Sequence, residues 1–65
     1  LMTAGRDVAA AWVLQSIAFQ GVDGREEQVL RRLDGLRARG AALSERDREQ
    51  LLHFVDNAVS AIELS

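Results

Sequence analysis

Apolar residues recur every three to four positions along three stretches of the sequence, which is the period of amphipathic α-helices. No stretch alternates between apolar and polar residues over a useful length, so we expect no strands. Glycine-containing junctions separate the three stretches. The pattern predicts an all-α fold in one domain that spans residues 1–65, with three helices at about residues 4–20, 25–39 and 45–63.

The residues at the two junctions carry signals for helix ends. Asp23 is predicted to cap the second helix, with an acidic residue three positions later as the other half of a capping box. Ser44 and Asp47 repeat this arrangement before the third helix. Gly21 and Gly40 follow the first and second helices, where a left-handed glycine commonly ends a helix.

The second and third predicted helices each have a single apolar side. In the second helix that side comprises Val29, Leu30, Leu33 and Leu36. In the third helix it comprises Leu51, Leu52, Phe54, Val55, Ala58, Val59, Ala61 and Ile62. Helices of this kind bury one side against a neighbour and leave the other in water.

The first predicted helix differs, because its bulky apolar residues form two clusters on opposite sides. The clusters are Val13, Leu14 and Ile17 on one side and Val8, Trp12 and Phe19 on the other, with alanines between them. Two neighbouring helices can cover one bulky side, but they do not readily surround the first helix and cover both. We therefore expect a helical homodimer whose self-association interface is formed by Val8, Trp12 and Phe19.

Length and composition favour the same interpretation. A chain of 65 residues buries only about 60% of the surface of its unfolded state, which leaves a small core. The sequence has no Cys and one His, so disulfides and thiolate metal sites cannot supplement that core. Apolar residues make up 48% of the chain, which excludes a disordered tail. Association with a second copy would supply further burial.

The charge of the chain disfavours nucleic acid and anionic membranes as partners. The net charge of −2 gives no overall attraction to nucleic acid or to an anionic membrane surface. The apolar run 8–19 is too short to span a bilayer, and it lacks the basic leader of a signal peptide. All eight basic residues are Arg, which we interpret as the coding bias of a GC-rich bacterial genome. We expect a cytoplasmic bacterial protein without a membrane partner.

The sequence offers little for catalysis or metal binding. His53 is flanked at helical spacing by Glu49 and Asp56, so the three side chains share the polar side of the third helix. An exposed helix surface lacks the concave, partly dry environment that such chemistry needs. No phosphate-binding glycine loop and no nucleophile with a suitable base is visible. We expect no enzymatic activity, no cofactor and no metal.

A basic stripe on the second predicted helix is the remaining candidate site. Its members are Arg25, Arg31, Arg32 and Arg39. Such a stripe can dock an acidic protein surface, or it can contact the phosphates of DNA. Glu27 lies four residues before Arg31, the spacing of a local ion pair. Acidic residues at the start of the third helix would repel a DNA backbone.

These observations predict a small, non-enzymatic protein-interaction or regulatory module. It would associate with itself through the first helix and bind a macromolecular partner, most simply another protein. The alternative is a small dimeric DNA-binding regulator that uses the arginine stripe of the second helix.

Overall fold

Three helices form where the hydrophobic period predicts them. The computed structural model describes residues 3–64, with side chains from Gly5 onward. Its helices are α1 (Thr3–Gln20), α2 (Glu26–Gly40) and α3 (Glu45–Leu64). The predicted all-α, three-helix fold is confirmed, and each helix end lies within one residue of its predicted position. The described residues contain no strand.

Each helix buries residues at positions i, i+4, i+7 and i+11, a spacing that forms one stripe along a helix. The three stripes are Asp7, Ala11, Leu14 and Ala18 in α1, Val29, Leu33, Leu36 and Gly40 in α2, and Leu51, Val55, Ala58 and Ile62 in α3. The largest fully buried side chains are Leu33, Leu51 and Val55. The core therefore consists of small and medium aliphatic side chains along a common axis.

The buried side of α1 is not one of the two bulky clusters that the sequence indicates. It is centred on Ala11 and Ala18, two of the small residues that lie between those clusters in the helical pattern. Helix α1 packs against both α2 and α3, and small side chains allow close approach to both neighbours. Leu14 is buried with these alanines, while the other bulky residues lie on the flanks of α1: Val8 and Ile17 are half-buried against the core, and Trp12, Val13 and Phe19 are exposed.

The helices run up, down and up. The first half of α1 lies beside the first half of α3, where Val8 and Gln50 line the same groove. Further along both helices, Asn57 Nδ2 donates a hydrogen bond to Gln15 Oε1 at 3.3 Å. Helices α1 and α3 are therefore parallel neighbours, and α2 is antiparallel to both. The bundle measures 34 × 16 × 16 Å.

Two of the predicted helix ends are confirmed. Gly21 has a φ of 117°, and its N–H donates to the carbonyl oxygen of Ile17 at 3.1 Å, so a left-handed glycine ends α1. At the start of α3 the N–H of Asp47 donates to Ser44 Oγ at 3.3 Å. Ser44 is therefore the side-chain cap of α3.

Two other predictions about helix ends are wrong. Asp23 does not cap α2, because residues 23–25 form a turn in which Gly24 has a φ of 81°, and the helix begins only at Glu26. Gly40 is not left-handed but is the last residue of α2. A Cβ atom at Gly40 would lie 2.8 Å from Leu51 Cδ2. This glycine therefore serves close packing of α2 against α3.

Candidate interaction surfaces

None of the chain's three aromatic side chains belongs to the buried core. Trp12 is 55% exposed and Phe19 is 63% exposed, while Phe54 of α3 is partly buried. Val8, Trp12 and Phe19 share one side of α1 by their helical spacing. Phe54 adjoins this side from α3. We refer to Val8, Trp12, Phe19 and Phe54 as the aromatic face.

A shallow groove of about 390 Å³ lies within this face, between α1 and α3. It is lined by Gly5, Val8, Ala9, Trp12, Asp47, Gln50 and Phe54. A Cβ atom at Gly5 would meet nothing within 4 Å, so this end of the groove is open. The small residues beside Trp12 leave room for an inserted side chain.

Polar groups border the aromatic face. Asn57 Nδ2 lies 3.3 Å from Gln15 Oε1 and 3.3 Å from His53 Nε2. The His53 ring also lies beside Phe54, with ring centroids 5.8 Å apart. Asp56 instead pairs with Arg37 Nη2 at 2.9 Å. Of these contacts, the Asn57–Gln15 hydrogen bond joins α3 to α1 and the Asp56–Arg37 ion pair joins α3 to α2, while both contacts of His53 lie within α3.

The structure divides the predicted arginine stripe. Arg31 pairs with Glu27 at 2.8 Å, as the i, i+4 spacing predicts, and both side chains are exposed. Arg25 lies at the start of α2 and is also exposed. Arg32 and Arg39, in contrast, line a cleft together with Arg6 of α1. Arg6 belongs to α1, so the periodicity of the second helix alone could not identify it as part of this group.

We refer to this second concavity, which has a volume of about 420 Å³, as the α1–α2 cleft. Its lining comprises Arg6, Asp7, Ala10 and Leu14 of α1 and Arg32, Gly35, Leu36 and Arg39 of α2. By helical spacing, the cleft residues and the aromatic face lie on different sides of α1. The two surfaces can therefore act independently.

Asp7 is the buried polar residue of the cleft and was not predicted as a site residue. Its side chain is only 7% exposed, and Arg39 Nη2 lies 3.1 Å from Asp7 Oδ1. Asp7 occupies the first position of the buried stripe of α1. The regular spacing of Asp7, Ala11, Leu14 and Ala18 is the signal that could have identified it.

Neither a metal site nor a membrane span is found in the described part of the chain. No group of three or more His, Asp or Glu side chains there could hold a metal ion. Over residues 3–64, none of the helices combines the length and the hydropathy needed to cross a bilayer.

Comparison with known proteins gives no relative from which a role could be transferred. The chain matches no protein-family model, and no curated protein or solved structure gives a significant match.

Proposed function

We propose that this protein is a non-enzymatic interaction module that self-associates through the aromatic face and binds a partner protein through its arginines. The observation that carries self-association is the position of the aromatic side chains. Trp12 and Phe19, two of the largest apolar side chains in the sequence, are more than half exposed on one side of α1.

Trp12 and Phe19 would gain free energy from burial against a partner surface. Full burial of a large apolar side chain contributes roughly 1.5–3 kcal/mol relative to exposure. Aromatic residues also dominate the binding energy of protein interfaces. Trp12 and Phe19 are not part of the bundle core, so more than half of each side chain is left for an interface.

A second copy of the chain is the partner that best fits this face. In a two-fold dimer, residues near the axis meet their own copies, so a charge there faces a like charge. Helix α1 has no charged residue between Asp7 and its end at Gln20. Two α1 helices therefore bring no charges of their own against each other over this length. Trp12 of each copy can enter the groove of the other, where Asp47 of α3 is the charged residue of the lining.

Sedimentation analysis of three proteins tests self-association. The wild type is expected to show twice the monomer mass at micromolar concentration. Trp12→Gln is expected to be a monomer with unchanged helix content, because Trp12 is exposed within one copy. Val13→Gln is the matched control, since Val13 is also exposed on α1 but belongs to the opposite cluster. A wild type that stays monomeric at every concentration would contradict the proposal.

A protein partner fits the arginines better than DNA does. Arg31 and Arg39 already contact carboxylates, and acidic residues follow in the first turn of α3. These carboxylates weaken attraction to a phosphate backbone. The pairs with Glu27 and Asp7 also orient the guanidinium groups of Arg31 and Arg39, which favours hydrogen bonds to individual carboxylates of a protein over diffuse attraction to a backbone.

A further inference from the structure

We propose that the α1–α2 cleft binds an acidic peptide segment. Carboxylates of the peptide would pair with Arg6, Arg32 and Arg39, and an apolar side chain of the peptide would contact the floor of the cleft between them. This site depends on the proposed role as an interaction module, and it is independent of self-association through the aromatic face.

The cleft carries a local surplus of positive charge in a chain that is negative overall. Its lining contains three guanidinium groups and one carboxylate, which is a net charge of +2, against −2 for the whole chain. Among the described residues, neither Arg6 nor Arg32 forms an ion pair. Two cations from different helices therefore face the cleft without a carboxylate partner among residues 5–64.

The third cation is held in place by Asp7. One nitrogen of Arg39, Nη2, contacts the nearly buried Asp7 carboxylate, while 60% of the Arg39 side chain remains exposed. A guanidinium group has five N–H donors, so this contact leaves donors for a second carboxylate. Because this contact already orders Arg39, less side-chain entropy is lost when a ligand binds to it.

The floor of the cleft selects an amphipathic ligand. It is formed by the apolar side chains of Ala10, Leu14 and Leu36. Gly35 lies between Arg32 and Arg39 in sequence, and a Cβ atom there would meet nothing within 4 Å. The ligand can therefore approach the bare backbone of α2 between the two arginines. A peptide can supply both the apolar group and the carboxylates, whereas inorganic phosphate and a nucleic-acid backbone offer only anions.

The spacing of the arginines favours a ligand with more than one acidic group. Arg32 and Arg39 are seven residues apart, which is two helical turns or about 10.5 Å along the axis. Two carboxylates can engage arginines that leave the helix two turns apart without drawing their side chains together. Acidic residues on both sides of an apolar centre would place a carboxylate at each arginine.

Nuclear magnetic resonance titration tests the site on the intact protein. The probe is the capped peptide Glu-Glu-Leu-Leu-Glu-Glu, and the control peptide has Gln in place of every Glu. The acidic peptide is expected to shift the Gly35 amide signal and the Nε–H signals of Arg6, Arg32 and Arg39. The control peptide is expected to leave these signals in place, and added salt should weaken the acidic peptide's binding.

Two variants and one matched control locate the site. Arg32→Gln is expected to weaken peptide binding at least tenfold without affecting the fold, because Arg32 is exposed and unpaired among the described residues. Gly35→Leu should weaken it similarly by filling the cleft. Arg46→Gln removes an exposed arginine of α3 outside the cleft and is expected to leave binding unchanged.

Several results would overturn the site. These are absence of acidic-peptide binding at low salt, equal binding of the Gln peptide, and equal weakening by Arg32→Gln and Arg46→Gln. Stronger perturbation of the cleft by duplex DNA or inorganic phosphate than by the peptide would also overturn it.

The Trp12→Gln variant separates this proposal from self-association, because we expect it to be monomeric and still to bind the peptide. A monomeric wild type that binds the peptide would contradict self-association alone.

Discussion

Arg39 Nη2 lies 3.1 Å from Asp7 Oδ1, so an ion pair with a nearly buried carboxylate joins the end of α2 to the beginning of α1. This contact differs in kind from the pair of Arg31 with Glu27, in which both side chains are 78% exposed. Water can solvate either partner of the exposed pair after the other is removed. The Asp7 carboxylate has little access to water.

Replacing Arg39 with Gln is therefore expected to destabilise the fold. The substitution should lower the free energy of unfolding by about 1–3 kcal/mol, because it leaves a buried acceptor without its charged donor. Arg31→Gln is the matched control and should cost no more than about 0.5 kcal/mol. Urea denaturation of both variants measures the difference. Equal effects would show that burial of Asp7 does not strengthen its pair.

The two glycines of α2 are expected to respond to alanine with opposite signs. Gly40→Ala places a Cβ atom 2.8 Å from Leu51 Cδ2, and Leu51 is fully buried, so overpacking should cost about 1–3 kcal/mol. Gly35→Ala meets nothing within 4 Å and should stabilise the helix by roughly 0.5–1 kcal/mol. Denaturation midpoints check both values. Stabilisation by Gly40→Ala would contradict the close packing described for α2 and α3.

Loss of the Ser44 side chain is expected to weaken the start of α3. Ser44→Ala removes the acceptor of the Asp47 N–H and should lower the free energy of unfolding by about 1 kcal/mol. Ser60→Ala, at an exposed position within α3, is the control and should change stability by less than about 0.5 kcal/mol. Thermal unfolding followed by circular dichroism distinguishes the two variants. Similar melting curves would mean that the cap contributes little.

Trp12 is the chain's single tryptophan and reports directly on the aromatic face. On self-association its partly exposed ring should lose water contacts. Its emission maximum is therefore expected to move to shorter wavelength as the protein concentration rises, with weaker quenching by acrylamide. Fluorescence and sedimentation should change over the same concentration range. A doubled mass without a change in emission would place the dimer interface elsewhere.

The three helices could be predicted from the sequence because their signals are local. A period near 3.6 marks each helix, and Gly21 and Ser44 lie directly at helix ends. The predicted cap at Asp23 is wrong for an equally local reason. Gly24 adopts a left-handed conformation, which extends the turn and delays the start of α2 to Glu26.

The buried side of α1 could not be predicted from the size of its apolar residues alone. Ala11 and Ala18 are buried because α1 packs against two helices, and this contact depends on tertiary structure. The α1–α2 cleft has the same origin. Arg6 joins Arg32 and Arg39 only after α1 and α2 pack antiparallel. The interface prediction for Val8, Trp12 and Phe19 remains a prediction that sedimentation can test.

The parallel arrangement of α1 and α3 also determines how the bundle would bear force. The beginning of α1 and the end of α3 lie at opposite ends of a molecule 34 Å long. Tension applied through these two ends would slide the α1–α3 contact along its length. Sliding strains many side-chain contacts together, whereas peeling breaks them one after another. We therefore expect the bundle to resist tension applied at these two ends more strongly than a bundle whose helices are peeled apart.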